Sequence, residues 1–241
     1  MTNKEIQDCI IYQDPYYIVA NKPSGISSQE DPIEGDSFHK ILEKFSAKKL
    51  FVVHRLDRPT SGAIVYAKKK SAANHIGKIQ QDKTNGVQKK YLAAVKTAPG
   101  KPQGELTHLL SHDKKQRKSI VVDSSKDGGK TASLIYKTIA SIENYTLLEV
   151  SLNTGRFHQI RAQLGAIGSP IKGDVKYGAR RGNKDRSIHL HAHKIEIPFF
   201  DEGYGVTVSA GLPNDPVWTA FQELIPEFSN NTYQKWKEEL T

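Results

Sequence analysis

A polar turn set between two β-type runs constrains this chain more than any other stretch. Val52-Val53 leads into His54-Arg55-Leu56-Asp57-Arg58-Pro59-Thr60-Ser61-Gly62, and Ala63-Ile64-Val65-Tyr66-Ala67 follows. Short β-branched and aromatic runs favour strands, and Pro59 with Gly62 punctuates the connection between them. Asp57 lies between two guanidiniums, Arg55 and Arg58, a setting that favours its charged form. A solvated salt-bridge cluster is the plain alternative, and such clusters stabilise little. An ordinary surface loop has little need of so concentrated a group, so the turn points to a functional site.

Upstream, Ile10-Ile11-Tyr12, Asp14-Pro15 and Tyr17-Ile18-Val19-Ala20-Asn21 read as strand, turn and strand, closed by Lys22-Pro23-Ser24-Gly25. Phe38, Ile41, Leu42 and Phe45 fall at helical spacing between Asp36 and Lys48, with Asp36 as the expected N-cap. Ser71 to Gln81 is a second amphipathic helix with Ala72, Ile76 and Ile79 on one face. Lys89 to Val95 is β-like, as are Glu105 to Leu110, Ala132 to Ile139 and Tyr145 to Leu152. The run Lys114-Lys115-Gln116-Arg117-Lys118 suits either a solvated face or a phosphate contact.

Thr154 caps an expected helix that continues to about Ile167 and stops before Pro170. Phe157, Ile160, Leu164 and Ile167 then form one apolar stripe, with Arg161 in or beside it and Arg156 pointing away. A guanidinium on an inward face is costly unless a carboxylate meets it, and Asp57 is the expected partner. Asp215 to Leu224 and Asn231 to Leu240 read as C-terminal helices, with Trp218, Phe221 and Trp236 inward.

His189, His191 and His193 alternate in the β-like run Ile188 to Ile197, so a strand would place all three on one face. They are a possible zinc set, which Asp201 and Glu202 could join. Same-face neighbours on a strand lie about 7 Å apart, too far for three ligands to share one ion readily. Histidines packing at a strand edge are the preferred reading, with no metal site.

The 241 residues carry 35 Lys and Arg against 26 Asp and Glu, a formal net charge of +9, which calls for a polyanionic partner. The single cysteine, Cys9, excludes an internal disulfide framework and fits a reducing compartment. The polar stretch Met1 to Asp8 does not read as a signal peptide, and no apolar run is long enough to span a bilayer. The expectation is a cytoplasmic protein with no membrane contact.

The turn around Asp57 resembles the signature loop of the RluA-type RNA pseudouridine synthases. Lys90-Tyr91-Leu92-Ala93 resembles that family's second motif, and Thr154-Gly155-Arg156-Phe157-His158-Gln159-Ile160-Arg161 its third. Pro170-Ile171-Lys172-Gly173-Asp174 with Tyr177-Gly178 matches the turn that follows, and Leu190-His191-Ala192 a later strand. The resemblance runs from Ile10 to about Phe199. It implies an α+β fold: one catalytic domain over 1–241, a bent, mainly antiparallel mixed sheet flanked by helices and loops, and a cleft across its middle. It also implies a short form, because only about nine residues precede the first strand where many members carry an RNA-binding module.

By resemblance, Asp57 is the catalytic aspartate, Arg161 its partner, and Tyr91 the ring that stacks on the flipped base. Arg55 would brace the space the base vacates. His54, Arg58, Arg156 and His158 join it as candidate RNA contacts, together with Lys114, Lys115, Arg117 and Lys118. The loop from Arg180 to Arg186 is a further candidate. The reaction breaks the N1–C1′ bond, turns the uracil and joins C5 to C1′. With no net redox change and no water consumed, no cofactor is expected. Asp57 could attack C1′ or remove the C2′ proton, and both roles stay open. RNA, ribosomal or transfer, is the expected partner, with no obligate protein partner and a monomer as the simpler state. The rival classes are a metal-dependent hydrolase built on the three histidines and a non-catalytic RNA-binding protein.

Overall fold

The structure, a computed structural model, describes residues 1–30, 35–80, 86–198 and 204–237. In chain order the elements are α1 (Asn3–Cys9), β1 (Ile10–Gln13), β2 (Tyr17–Lys22), α2 (Phe38–Ser46), β3 (Phe51–Val52), β4 (Ser61–Ala67), α3 (Lys70–Ile79) and β5 (Gln88–Val95). There follow β6 (Gln103–Asp113), β7 (Lys118–Val122), β8 (Lys130–Ile142), β9 (Tyr145–Leu152) and α4 (Gln159–Ala166). The remainder is β10 (Leu190–Pro198), β11 (Tyr204–Ser209), α5 (Pro216–Leu224) and β12 (Thr232–Lys237). The chain divides into two compact units. The first unit comprises 1–89, 192–213 and 226–241, and the second comprises 90–191 and 214–225. Both are α+β, built on mostly antiparallel strands.

In the first unit β2 pairs antiparallel with β1 and β4, and β11 with β10 and β12. The turn from β1 to β2 is set by Asp14, whose Oδ1 accepts the N–H groups of Tyr16 and Tyr17 at 2.7 and 2.6 Å. Every residue of β4 is buried, which explains its unbroken apolar run. Tyr17, Val19, Val65, Ile76, Ile195 and Val208 share its core. At Gly62, φ is +113° and a Cβ would lie 2.3 Å from the Ala192 carbonyl oxygen, so only glycine lets β10 approach here.

The second unit is a run of antiparallel pairs, β5 with β9, β9 with β8, β8 with β6 and β6 with β7. Helix α4 lies against it, buried from Gln159 through Leu164. Asp215 caps α5 by accepting the Val217 N–H at 2.9 Å, and Trp218 and Phe221 are buried as expected.

Several expectations shift. Helix α2 is capped by Ser37, while Asp36 instead meets Lys44 at 3.0 Å. Helix α3 spans Lys70–Ile79, and the expected terminal residue, Gln81, lies outside the described residues. Helix α4 begins at Gln159, not after Thr154. The Thr154 hydroxyl is committed elsewhere: it accepts the Ser133 N–H at 3.0 Å and donates to Gln159 Oε1 at 2.8 Å, fastening this stretch to β8 as a loop. The expected last helix is strand β12 as far as Lys237, and 238–240 lie outside the described residues. Tertiary pairing with β11 overrides local helical spacing here, and the Trp236 ring lies over Gly205, its cross-strand partner. No helix among the described residues is long and apolar enough to cross a membrane.

Candidate active site

The Asp57 turn is clasped by the Lys-Pro-Ser-Gly turn that ends β2. Gly25 N–H donates to the Arg58 carbonyl at 2.8 Å, and Arg58 Nε donates to the Gly25 carbonyl at 2.8 Å. Ser24 Oγ donates to the Pro59 carbonyl at 3.0 Å. Leu56 is buried, and its N–H and C=O both bond Ser28 Oγ, at 3.3 and 2.9 Å. Tyr66 in turn donates to the Ser28 carbonyl at 2.6 Å. The Asp57 carbonyl closes the turn by accepting the Thr60 N–H at 3.0 Å. With Leu56 turned inward, Arg55 and Arg58 are exposed and Asp57 is half-buried, so the carboxylate rides on a backbone fixed from both sides.

Beneath this clasp lies a cation that the turn-like Lys-Pro-Ser-Gly spacing does not disclose. Lys22 is fully buried, and its ammonium donates to the carbonyls of Pro23, Ile26 and Arg58 at 2.8, 2.9 and 3.4 Å. Burial lowers its pKa to about 7, opposed by the charge of Asp57 and aided by that of Arg58. From about pH 7 to the ordinary lysine value of 10.5, the unfolded chain therefore binds a proton that the folded chain does not. Stability rises with pH through that window. Lys89, lowered by burial to about 8, acts in the same direction. In Lys22→Met, denaturant unfolding between pH 7 and 10 is expected to lose a large part of this slope; an unchanged slope would show that Lys22 stays charged throughout.

His54, expected at the RNA, turns its ring inward. Its Nε2 accepts the Val65 N–H of β4 at 3.1 Å, and burial, with the charge of Lys89, holds its pKa well below the ordinary value. The ring is neutral and braces the turn.

In the second unit Tyr91 is buried on β5 opposite Val150. Arg161, also buried, forms an ion pair with Asp174. The pair is bidentate, Nε to Oδ2 at 2.7 Å and Nη2 to Oδ1 at 2.9 Å, and Asp174 is 1% exposed. The guanidinium also faces the Tyr177 ring at 5.1 Å. Arg156 is exposed and its Nε donates to the Thr131 carbonyl at 3.1 Å. His158 is half-buried, stacked on Phe157 at 3.8 Å. Lys114, Lys115 and Arg117 are exposed at the turn from β6 to β7, and Lys118 is half-buried.

The three alternating histidines are occupied by packing. His189 Nε2 bonds Asp215 Oδ1 at 2.7 Å and the ring stacks on Trp218 at 5.0 Å. His191 meets the same indole edge-on, and His193 Nδ1 bonds the Ala210 carbonyl at 2.9 Å. Burial holds the His189 imidazole below its ordinary pKa against the pull of Asp215. Strand β10 is an interior strand rather than an edge, which corrects the expected setting of these side chains. Among the described residues no three His, Cys, Asp or Glu side chains could hold a metal ion, and Asp201 and Glu202 lie outside those residues.

Residues 16–166 match the RNA pseudouridylate synthase family. The ribosomal large subunit pseudouridine synthase D of Borreliella burgdorferi is 35% identical over 200 residues, covering 78% of this chain, which spans 60% of that protein. The ribosomal large subunit pseudouridine synthase C of Rickettsia prowazekii is 32% identical over 222 residues, covering 88% of this chain and 71% of its own length. Among solved structures, human RNA pseudouridylate synthase domain containing 4 superposes with a TM-score of 0.72 at 25% identity, covering 91% of this chain and 94% of its own. The chain belongs to the RluA-type RNA pseudouridine synthase family.

Proposed function

We propose that this protein isomerises uridines in structured RNA to pseudouridine, with Asp57 as the group that acts on the target nucleotide. The observation that carries this reading is the clasp around Asp57. Two motifs more than thirty residues apart converge, through backbone bonds and a buried lysine, on the single turn that presents this carboxylate. A non-catalytic RNA-binding protein has no need of such a fixed acid.

Tyr91 is assigned the stacking role against the detached uracil, and Arg161 the role of serving the catalytic aspartate, as in the family pattern. Arg55, Arg58 and Arg156, exposed, and the basic turn at Lys114–Lys118 supply cations for phosphates. The target uridine must leave its stack to reach the acid. We assign the protein to the cytoplasm, working as a monomer on ribosomal or transfer RNA without an obligate protein partner. The reaction as written calls for no cofactor. The test is release of tritium from transcripts of large-subunit ribosomal RNA and of transfer RNA carrying C5-tritiated uridine, followed by chemical mapping of the product. Release at one or a few positions is the expected result. Tight RNA binding without release would return the binding-protein reading.

A further inference from the structure

One short turn of the second unit makes three separate attachments. Residues Val175–Tyr177 form a single 3-10 turn directly after Asp174. Asp174 holds the Arg161 guanidinium. Lys176 Nζ reaches over to the basic turn of the β6–β7 hairpin, donating to the carbonyls of Arg117 and Gln116 at 3.2 and 3.5 Å. Tyr177 touches both: its ring lies under Arg161, and its hydroxyl accepts the Ser119 N–H of β7 at 2.8 Å. His158 Nδ1 lies 2.9 Å from the same hydroxyl. His158 precedes α4, the helix that carries Arg161, and caps it with a left-handed backbone at φ 50°. The hairpin is fastened a second time by Ser119 Oγ, which donates to the Phe157 carbonyl, and by His112, whose ring packs on Phe157 at 4.6 Å.

An exposed hairpin carrying four cations in five residues would ordinarily move independently of the body it extends from. Here Lys114, Lys115 and Arg117 project to solvent from a turn whose other side is bonded to the Asp174–Tyr177 segment. Pre-organised phosphate contacts cost less ordering on binding than floppy ones.

We propose that Tyr177 is a positioning residue whose hydroxyl ties the basic β6–β7 turn to the segment that holds the buried Arg161–Asp174 pair, so that the hairpin's phosphate contacts are held in a fixed place relative to that pair. The proposal rests on the reading above that this turn contacts RNA. It predicts coupling: the hydroxyl matters only while the hairpin cations are there to be placed. A merely structural tyrosine would weaken the protein equally whether or not those cations are present.

The experiment is a double-mutant cycle of Tyr177→Phe against Lys114→Ala/Lys115→Ala. The readouts are the Kd of a fluorescein-labelled RNA stem–loop across a KCl series and, on the tritiated transcripts, KM and kcat. Phenylalanine keeps the ring under Arg161 and removes only the hydroxyl, so folding is preserved. Tyr177→Phe is expected to weaken binding roughly 3–10-fold in the wild-type background, the scale of one hydrogen bond. In the background lacking the lysines the same change should be less than about twofold, the signature of coupled residues. The loss should fall on KM. Equal weakening in both backgrounds, or none in either, overturns the proposal. A wild-type protein that binds the stem–loop but releases no tritium defeats the enzymatic assignment instead, and the binding cycle still decides the role of Tyr177.

Discussion

Asp57→Asn is expected to reduce pseudouridine formation by more than about 10³-fold while leaving fold and RNA affinity within about twofold of wild type. The Asp57 carbonyl with the Thr60 N–H, Leu56 with Ser28, and Arg58 with Gly25 hold the turn through bonds that asparagine leaves in place. Asparagine fits the same space. What disappears is a negative oxygen able either to attack C1′ or to take the C2′ proton, and a neutral amide does neither. Single-turnover tritium release, alongside stem–loop binding and a thermal midpoint, separates these effects. Substantial activity in the variant would mean that another group carries the chemistry, and the assignment to Asp57 would fall.

The second large effect belongs to the buried ion pair. Asp174→Ala leaves the Arg161 guanidinium inside the protein without the carboxylate that meets two of its nitrogens. Breaking a buried pair from one side typically destabilises by about 3–5 kcal/mol, which in a chain of this size lowers the melting midpoint by roughly 10 °C. Replacing both members, Arg161→Met with Asp174→Leu, removes the guanidinium together with its Asp174 carboxylate and is expected to recover most of that stability. The same double variant should stay inactive if Arg161 serves the catalytic aspartate. Thermal melts and tritium release on the three proteins check both statements. Restored activity in the double variant would reduce Arg161 to a packing residue.

The need for a carboxylate against Arg161 is legible from an arginine on an inward helical position, but the part played by Asp174 is not. Asp174 reaches Arg161 from a turn only thirteen residues along the chain, built on Gly173 and Gly178 at φ +86° and +105°. The strands β1, β2, β4, β5 and β9 announce themselves because each is an apolar run bounded by polar turns. β12 does not, since its side chains are mostly exposed and its pairing with β11 is a matter of tertiary contact. Likewise Thr154 has the chemistry of an N-cap, yet bonds to β8 and the Gln159 side chain leave the helix to begin later. Lys22 was visible only as part of a turn, because nothing local to Lys-Pro-Ser-Gly says that three carbonyls will close around its ammonium.

The contact between Gly62 and Ala192 also sets an order of events during translation. Gly62 ends the Asp57 turn, and its partner backbone lies 130 residues later in the chain. At ~5–20 residues per second, a ribosome needs roughly 10 s to travel that distance. For that interval the nascent turn has its β2 and β4 supports but lacks the strand that presses on Gly62 from the other side. The Asp57 turn is thus synthesised well before the strand that packs against its last residue. An unfinished chain held at the ribosome carries this turn in an incomplete setting.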